Sequence, residues 1–113
     1  MRFIVEFFKR GGKSPVSDFI LSLDEDLRLD VYAVLRRLEE DPFSLGPMSK
    51  KLEGTRNLFE VKVRGRNRAV RVFYCFKKDR TVVLLHGFVK KTDKTPRREL
   101  GIALQRMKEI QNE

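Results

Sequence analysis

The sequence places a run of cations next to its only histidine, in the segment LLHGFVKKTDKTPRREL. Imidazole titrates near neutral pH and can move protons, so His86 is a candidate acid or base. Lys90, Lys91 and Lys94 follow it and can bind phosphate or stabilise its developing charge. The segment therefore indicates proton-transfer chemistry, an anion-binding edge, or a charged surface beside a core histidine. Because the neighbours of His86 in the sequence are mostly apolar, they favour a structural role for His86 in the core over a role in proton transfer.

A second group of candidates lies upstream, in two segments that alternate like strands. In FEVKVR the residues Glu60, Lys62 and Arg64 share one face, and in RAVRVFY Arg71 shares a face with Phe73. An arginine between apolar neighbours needs an anion, because an unpaired buried charge is unfavourable. That anion is either Glu60 across the sheet or a bound phosphate, and both can hold.

These residue types match the needs of RNA cleavage without a metal. A base removes the proton of the 2′-hydroxyl, an acid protonates the leaving 5′-oxygen, and cations stabilise the phosphorane. Glu60 is a candidate base, and the planar fork of Arg71 matches two phosphate oxygens. Phe73 either stacks a nucleobase or packs in the core. The candidate catalytic residues are Glu60, Lys62, Arg71, His86 and Lys91. The candidate RNA-binding residues are Lys50, Lys51, Arg56, Arg64, Arg68, Phe73, Lys90, Lys94, Arg97 and Arg98.

Positive charge is concentrated in the second part of the chain. Residues 1–47 carry 7 Lys and Arg against 9 Asp and Glu, whereas residues 48–113 carry 18 against 7. The net charges are therefore −2 and +11, within +9 overall. A polyanionic partner such as RNA accounts for this division, and the alternative is a solvated basic face.

Several other classes lack their signatures. The sequence has no CxxC, HExxH, P-loop or GxSxG motif, and one histidine with one cysteine makes a poor metal site, so we expect no metal and no cofactor. Cys75 is the single cysteine, which excludes an internal disulfide and favours a reducing cytoplasm. The start MRFIVEFFKRGG is too short for a membrane span and lacks a signal-peptide cleavage site, so no membrane contact is expected.

Hydrophobic periodicity predicts three helices and four strands. Ser14-Pro15, Asp24 and Thr95-Pro96 are helix starts. The apolar face of the second helix is predicted to comprise Leu27, Val31, Val34, Leu35 and Leu38. That of the last helix is predicted to comprise Leu100, Ala103, Leu104, Met107 and Ile110. Strands are predicted at residues 2–8, 58–64, 68–76 and 81–89, with a loop at 42–57. Strict alternation in the last strand would place His86 on the side of Leu84 and Phe88.

The predicted order β-α-α-β-β-β-α is that of a small α+β domain. A chain of 113 residues fits a single domain spanning residues 1–113. We expect the helical hairpin to cover one face of the sheet, and the opposite face to carry the charged strand residues.

Two segments, LFEVKVRGRNRAVRVFY and VVLLHGFVKKTDKTPRREL, resemble the phage-derived HigB-like branch of the RelE/ParE toxin superfamily. In that branch an E-[LV]-R-like strand, an R-[IV]-x-Y strand and an LLHGFxKKxxKTP segment occur in this order. The resemblance covers nearly the whole chain, and residues 84–96 are its specific part. It implies a RelE-like fold, with a small, mainly antiparallel sheet, and a toxin of a type II toxin–antitoxin pair.

The resemblance also implies an activity and its partners. The ribonuclease members of the superfamily cut mRNA in the ribosomal A site and are neutralised by an antitoxin, which for HigB-like toxins is usually a helix-turn-helix protein. The active-site positions that the resemblance carries over are Lys62, Arg71, Lys90 and Lys91, with Glu60 and Arg64 adjacent. The tyrosine that some members place in the C-terminal helix has no counterpart here. Two alternatives remain, a ParE-like inhibitor of DNA gyrase that cuts nothing and a non-enzymatic nucleic-acid-binding regulator.

Overall fold

A computed structural model describes residues 2–111 of the chain. The strands are β1 (Ile4–Phe7), β2 (Ser49–Lys51), β3 (Phe59–Arg64), β4 (Ala69–Lys77) and β5 (Thr81–Val89). The helices are α1 (Pro15–Leu21), α2 (Glu25–Glu40) and α3 (Arg97–Gln111), and two short 3₁₀ turns lie at Pro42–Ser44 and Gly46–Met48. The α+β class and the predicted order of helices and main strands are confirmed, with boundaries shifted by one or two residues.

The five strands form one sheet in the order β1-β5-β4-β3-β2. β1 pairs with β5 in parallel and all other neighbours are antiparallel, which is the mainly antiparallel sheet expected. The apolar run of β5 is typical of an interior strand, and β5 lies between β1 and β4. This arrangement is consistent with a RelE-like fold.

The helical hairpin covers one face of the sheet, as predicted. Asp24 caps α2, its side chain accepting a hydrogen bond from Leu27 N at 3.3 Å. All five apolar residues predicted for α2 are buried against the sheet. α1 approaches β5 closely at Gly87, where an added Cβ would lie 2.7 Å from Phe19 Cδ2. The hairpin is therefore packed tightly on the strand that leads into the loop at residues 90–96.

The opposite face of the sheet differs from the expectation of an open charged surface. α3 packs over it through Ala103 and Met107, and a second core forms there with Phe73, Cys75 and Leu85. Strands that are apolar on both faces are covered on both faces, which the sequences of β4 and β5 already indicate. Leu104, predicted to face this core, is instead 37% exposed. Charged side chains are left at the end of the sheet that α3 does not cover.

Two local features were not predicted from the sequence. β2 lies inside the expected loop and pairs with β3, with Lys50 opposite Glu60. A register shift between β4 and β5 places Phe73 opposite His86 but Tyr74 opposite Leu84. The strict alternation assumed for β5 is therefore wrong, because Leu85 joins the core beneath α3 and His86 also contacts α3. His86 lies on the same face of the sheet as Phe88, as expected, but Leu84 lies on the other face.

Candidate functional site

A shallow cationic cavity of about 320 Å³ lies where the β3–β4 turn meets the end of β5. Its lining comprises Lys62, Arg64, Gly65, Asn67, Arg68, Ala69 and Lys90. All four cations are residues singled out from the sequence, and no carboxylate belongs to this lining within residues 2–111. The backbone fixes Lys90 here, since its N–H donates to Ala69 O at 2.8 Å. We call this the basic cavity.

Lys62 is the cation whose protonation the surroundings change. It is half-buried on β3, opposite Arg71 of β4. Burial, followed by the positive charges of Lys90 and Arg71, lowers the pKa of Lys62 from the ordinary lysine value. A lowered pKa increases the neutral fraction of the amine at any given pH, so Lys62 is a candidate base as well as a phosphate ligand.

Arg71 and Glu60 lie beside the basic cavity but beneath the surface. They are 0% and 1% exposed, and Arg71 Nε lies 3.2 Å from Glu60 Oε1. The contact is an ion pair rather than an aligned hydrogen bond. The pairing with Glu60 across the sheet, one of the two anions considered for Arg71, is confirmed. In this conformation neither group reaches a phosphate or a ribose at the surface.

The other polar atoms of this pair hold the basic loop at residues 90–96. Arg71 Nη2 donates to Asp93 O at 2.7 Å and to Thr92 O at 3.3 Å. The hydroxyl of Thr95 accepts from Arg71 Nη1 at 3.3 Å and donates to Glu60 Oε2 at 3.1 Å. The pair therefore connects the middle of the sheet to the loop, and it sets where the loop lysines are displayed.

The loop lysines differ in their contacts. Lys90 Nζ lies 3.3 Å from Asp93 Oδ1 and is mostly covered, whereas Lys91 and Lys94 are exposed. Within the described chain, neither of these two has a carboxylate within ion-pair distance. Lys50 of β2 lies opposite Glu60, and its charge also lowers the pKa of Lys62. None of these three lysines lines the basic cavity: Lys50 acts on Lys62 through its charge, and Lys91 and Lys94 follow Lys90 in the loop.

Phe73 does not form a stacking platform. It is 0% exposed and packs beneath α3, with its ring centroid 5.4 Å from that of Phe88. The alternative that it packs in the core is the one observed. A base cannot reach this ring while α3 is in place.

His86 is held by α3 rather than directed into the basic cavity. Its Nε2 lies 2.7 Å from Glu99 Oε1, and Arg106 Nη1 donates to Leu85 O at 2.8 Å beside it. Burial, opposed by the contact with Glu99, lowers the pKa of His86. Cys75 is buried on β4, opposite Val83 of β5, and burial raises the pKa of its thiol to about 11, so the thiol stays protonated and is a poor nucleophile.

Four of the candidate RNA-binding residues lie away from the basic cavity. Lys51 pairs with Phe59, and therefore lies on the hairpin side of the sheet. Arg56 is exposed in the turn before β3, at the opposite end of that strand from Arg64. Arg97 and Arg98 are exposed in the first turn of α3. The structure thus divides the predicted basic set between several surfaces.

Sequence reasoning missed the residues that tether the loop and those that hold His86. Thr95 was seen only as a helix start, and backbone carbonyls such as those of Thr92 and Asp93 carry no sequence signature. Glu99 and Arg106 lie on α3 at helical positions that face β5, a signal that becomes readable only once α3 is known to cover the sheet.

Comparison with known protein families identifies the chain. The family described as phage-derived protein Gp49-like (DUF891) matches residues 18–108, which include α2, the basic cavity and most of α3. The chain belongs to this family. Gp49-like proteins are part of the RelE/ParE-like toxin superfamily, which agrees with the fold and with the superfamily inferred from the strand and loop segments. No curated protein matches the Gp49-like chain. None of its described helices has the length and apolar character needed to cross a bilayer.

Proposed function

We propose that this Gp49-like protein is the toxin of a type II toxin–antitoxin pair, of the HigB-like kind, and that it cleaves mRNA on the ribosome. The observation that carries the proposal is the basic cavity, where four cations converge without a lining carboxylate. Three of these cations, Lys62, Arg64 and Arg68, pair with no carboxylate among residues 2–111, and Lys90 pairs only with the exposed Asp93. Cations at a concave surface bind a phosphate backbone, and the amine of Lys62, whose pKa is lowered, supplies a group that can exchange a proton.

In the proposed reaction the neutral amine of Lys62 takes the proton of a ribose 2′-hydroxyl. The 2′-oxygen then bonds to the adjacent phosphorus, and the bond from phosphorus to the 5′-oxygen breaks. The ammonium group of Lys91 protonates the leaving 5′-oxygen, so that the products are a 2′,3′-cyclic phosphate and a 5′-hydroxyl. Arg64, Arg68 and Lys90 stabilise the phosphorane through its non-bridging oxygens.

Arg71 and Glu60 have an indirect part in this proposal, in contrast to the direct roles expected from the sequence. Their buried ion pair holds Thr92, Asp93 and Thr95, and thereby positions Lys90 and Lys91. A misplacement of about 1 Å in a catalytic group can lower a rate roughly 10²-fold, so a buried positioning residue can matter as much as a phosphate ligand. His86, on the α3 side, is assigned no proton transfer.

The proposed partners are the ribosome, its bound mRNA and an antitoxin, which we expect to be a small helix-turn-helix protein encoded beside the toxin. The basic cavity must be covered or distorted by that antitoxin to prevent cleavage. Co-expression of the neighbouring open reading frame should therefore restore growth.

Induced expression with primer extension on a reporter mRNA tests the activity. Wild type should arrest growth and produce discrete, in-frame cuts, since ribosome-bound mRNA is read in frame. Lys62→Gln should reduce the cuts about 10²-fold or more, the usual contribution of a positioned acid or base. Arg36→Gln is the matched control, because Arg36 is exposed on α2 and lines none of the cavities described here.

The other outcomes of this experiment separate the alternatives. Growth arrest without mRNA cuts, accompanied by an SOS response and cleaved DNA complexes, would replace the nuclease with a gyrase inhibitor. Harmless overexpression of a folded protein would replace it with a non-enzymatic regulator. Equal cutting by Lys62→Gln and wild type would remove Lys62 from the chemistry.

A further inference from the structure

A second cationic cleft lies on the other side of α3, separate from the basic cavity. It encloses about 410 Å³ and is lined by Arg10, Arg98, Gly101, Ile102, Gln105 and Arg106. The two cavities share no lining residue. The segment from Lys90 to Arg98 joins them, with Lys90 in the basic cavity and Arg98 in this arginine cleft.

Within residues 2–111, Arg106 forms no ion pair. Its Nη1 donates to Leu85 O at 2.8 Å and lies 3.4 Å from His86 Nδ1, and both are neutral acceptors. No carboxylate of residues 2–111 lies within ion-pair distance of this guanidinium. Burial, followed by the positive charge of Arg10, lowers the pKa of Arg106, and the charge of Glu109 only partly opposes this. A partly buried cation of this kind is stabilised by an anion from outside.

Arg10 is held close to Arg106 in spite of their like charges. The two guanidinium carbons lie 5.4 and 5.5 Å from the centroid of the Phe8 ring, a distance typical of cation–π contacts. Glu109 forms an ion pair with Arg10. The cleft therefore presents three guanidinium groups, and one carboxylate touches one of them.

Arg98 completes the cleft at a position that disfavours a cation. It lies in the first turn of α3, where the helix dipole favours Asp and Glu, and it is exposed. No acidic side chain of the described chain pairs with it. The cleft thus brings three arginines together, and only Arg10 pairs with a carboxylate. Planar guanidinium groups can bind two phosphate oxygens at once, so this arrangement suits a phosphate.

We propose that the arginine cleft binds a backbone phosphate of ribosomal RNA and docks the protein without taking part in cleavage. This inference rests on the proposed function, because it names a second contact of the same polyanionic partner. A polyanion with regularly spaced phosphates can occupy both cavities at once. An acidic protein segment is the competing occupant, and the experiment below distinguishes it.

The test measures the affinity of the full chain for ribosomes at several salt concentrations. Arg98→Glu should weaken binding about tenfold or more, and the plot of log affinity against log salt should become shallower by about 1, as expected when one phosphate contact is lost. Arg36→Glu makes the same charge change on α2 and should alter affinity less than twofold. Arg98→Lys keeps the charge and should recover most of the affinity.

Thermal unfolding and cleavage at saturating ribosome concentration complete the design. Arg98→Glu should melt at or above the temperature of wild type, since an acid suits the first helical turn, and should cleave at the rate of wild type once bound. Equal ribosome affinities for Arg98→Glu and Arg36→Glu would overturn the inference. The inference would also be overturned if Arg98→Glu kept its ribosome affinity but bound the antitoxin more weakly, a result that would assign the cleft to an acidic protein. Wild type that binds ribosomes through Arg98 without cutting would overturn the proposed function alone.

Discussion

Two groups of cations on the same face of the sheet are treated in opposite ways. Arg71 is fully buried and its guanidinium contacts Glu60, Thr95 and two loop carbonyls. Lys62, Arg64, Arg68 and Lys90 surround an open cavity instead, and of these only Lys90 pairs with a carboxylate among the described residues. The sequence marks Arg71 as an arginine between apolar neighbours, but it does not show whether its anion is Glu60 or a bound phosphate.

The difference between the two groups separates positioning from binding. A buried charge needs several internal partners, and once it has them it offers nothing to a ligand. Cations that line a surface cavity remain accessible to an anionic ligand, and the repulsion between them decreases when such a ligand binds. Burial and counter-ions, rather than residue type, therefore distinguish a group that holds the loop from one that can contact RNA.

Removal of Arg71 is the largest expected perturbation. Arg71→Ala should lower the free energy of unfolding by about 3–5 kcal/mol, because it leaves the carboxylate of Glu60 buried without its partner. Urea denaturation monitored by circular dichroism measures the change. Arg68→Ala, in the open cavity, should change stability by only about 0.5 kcal/mol or less. Equal stability losses for the two variants would refute the distinction between them.

Removal of both charges sharpens the same comparison. The double variant Glu60→Leu/Arg71→Met should regain most of the stability lost in Arg71→Ala, since apolar residues of similar volume often replace a buried pair without net loss. The loop should nevertheless lose its tether. Faster amide exchange and tryptic cleavage at Lys91 and Lys94, compared with wild type, are the expected observations. An unchanged loop would show that the ion pair does not position it.

The smallest expected effect concerns His86, on the side of the sheet covered by α3. Because burial lowers its pKa, the unfolded chain binds more protons than the folded chain below about pH 6.5, the ordinary histidine value. Stability from this group is therefore present above that pH and is lost as the pH falls towards its lowered pKa. The slope is at most about 1.4 kcal/mol per pH unit.

Denaturation of wild type and His86→Gln between neutral and mildly acidic pH measures this slope. His86→Gln should remove it, while mRNA cleavage by the variant, once folded, should stay close to that of wild type. Loss of cleavage without loss of stability would instead place His86 in the chemistry.

Much of the fold was predictable because its patterns are local. The apolar spacing of α2 with its Asp24 cap, and the alternation in β3, each define an element without tertiary context. β2 was missed because its three residues, Ser-Lys-Lys, have no apolar alternation and are ordered only by pairing with β3. The shift at Phe73 was missed because an apolar run does not show where an extra residue is accommodated.

The candidate site was predictable in residue type but not in burial. Lys62, Arg64, Arg68 and Lys90 were singled out and the structure brings them to one cavity. Arg71 and Phe73 were candidates for the same surface, with an internal ion pair and core packing as their alternatives, and the structure has the alternatives because α3 and the carbonyls of the loop cover both residues. The apolar run of a strand can indicate that both faces are covered, but which of its side chains lie beneath a distant helix or loop is not contained in the strand's own sequence.

Single-turnover cleavage of ribosome-bound mRNA by purified wild type and Lys62→Arg tests the central claim most directly. Arginine keeps the positive charge but does not give up its proton, so Lys62→Arg should bind ribosomes about as tightly as wild type. Its cleavage rate should fall roughly 10²–10⁴-fold, the range for a lost acid or base. The wild-type rate should rise with pH towards the lowered pKa of Lys62. Equal rates for the two proteins, or no cleavage by wild type, would contradict the assignment of RNA cleavage to the basic cavity.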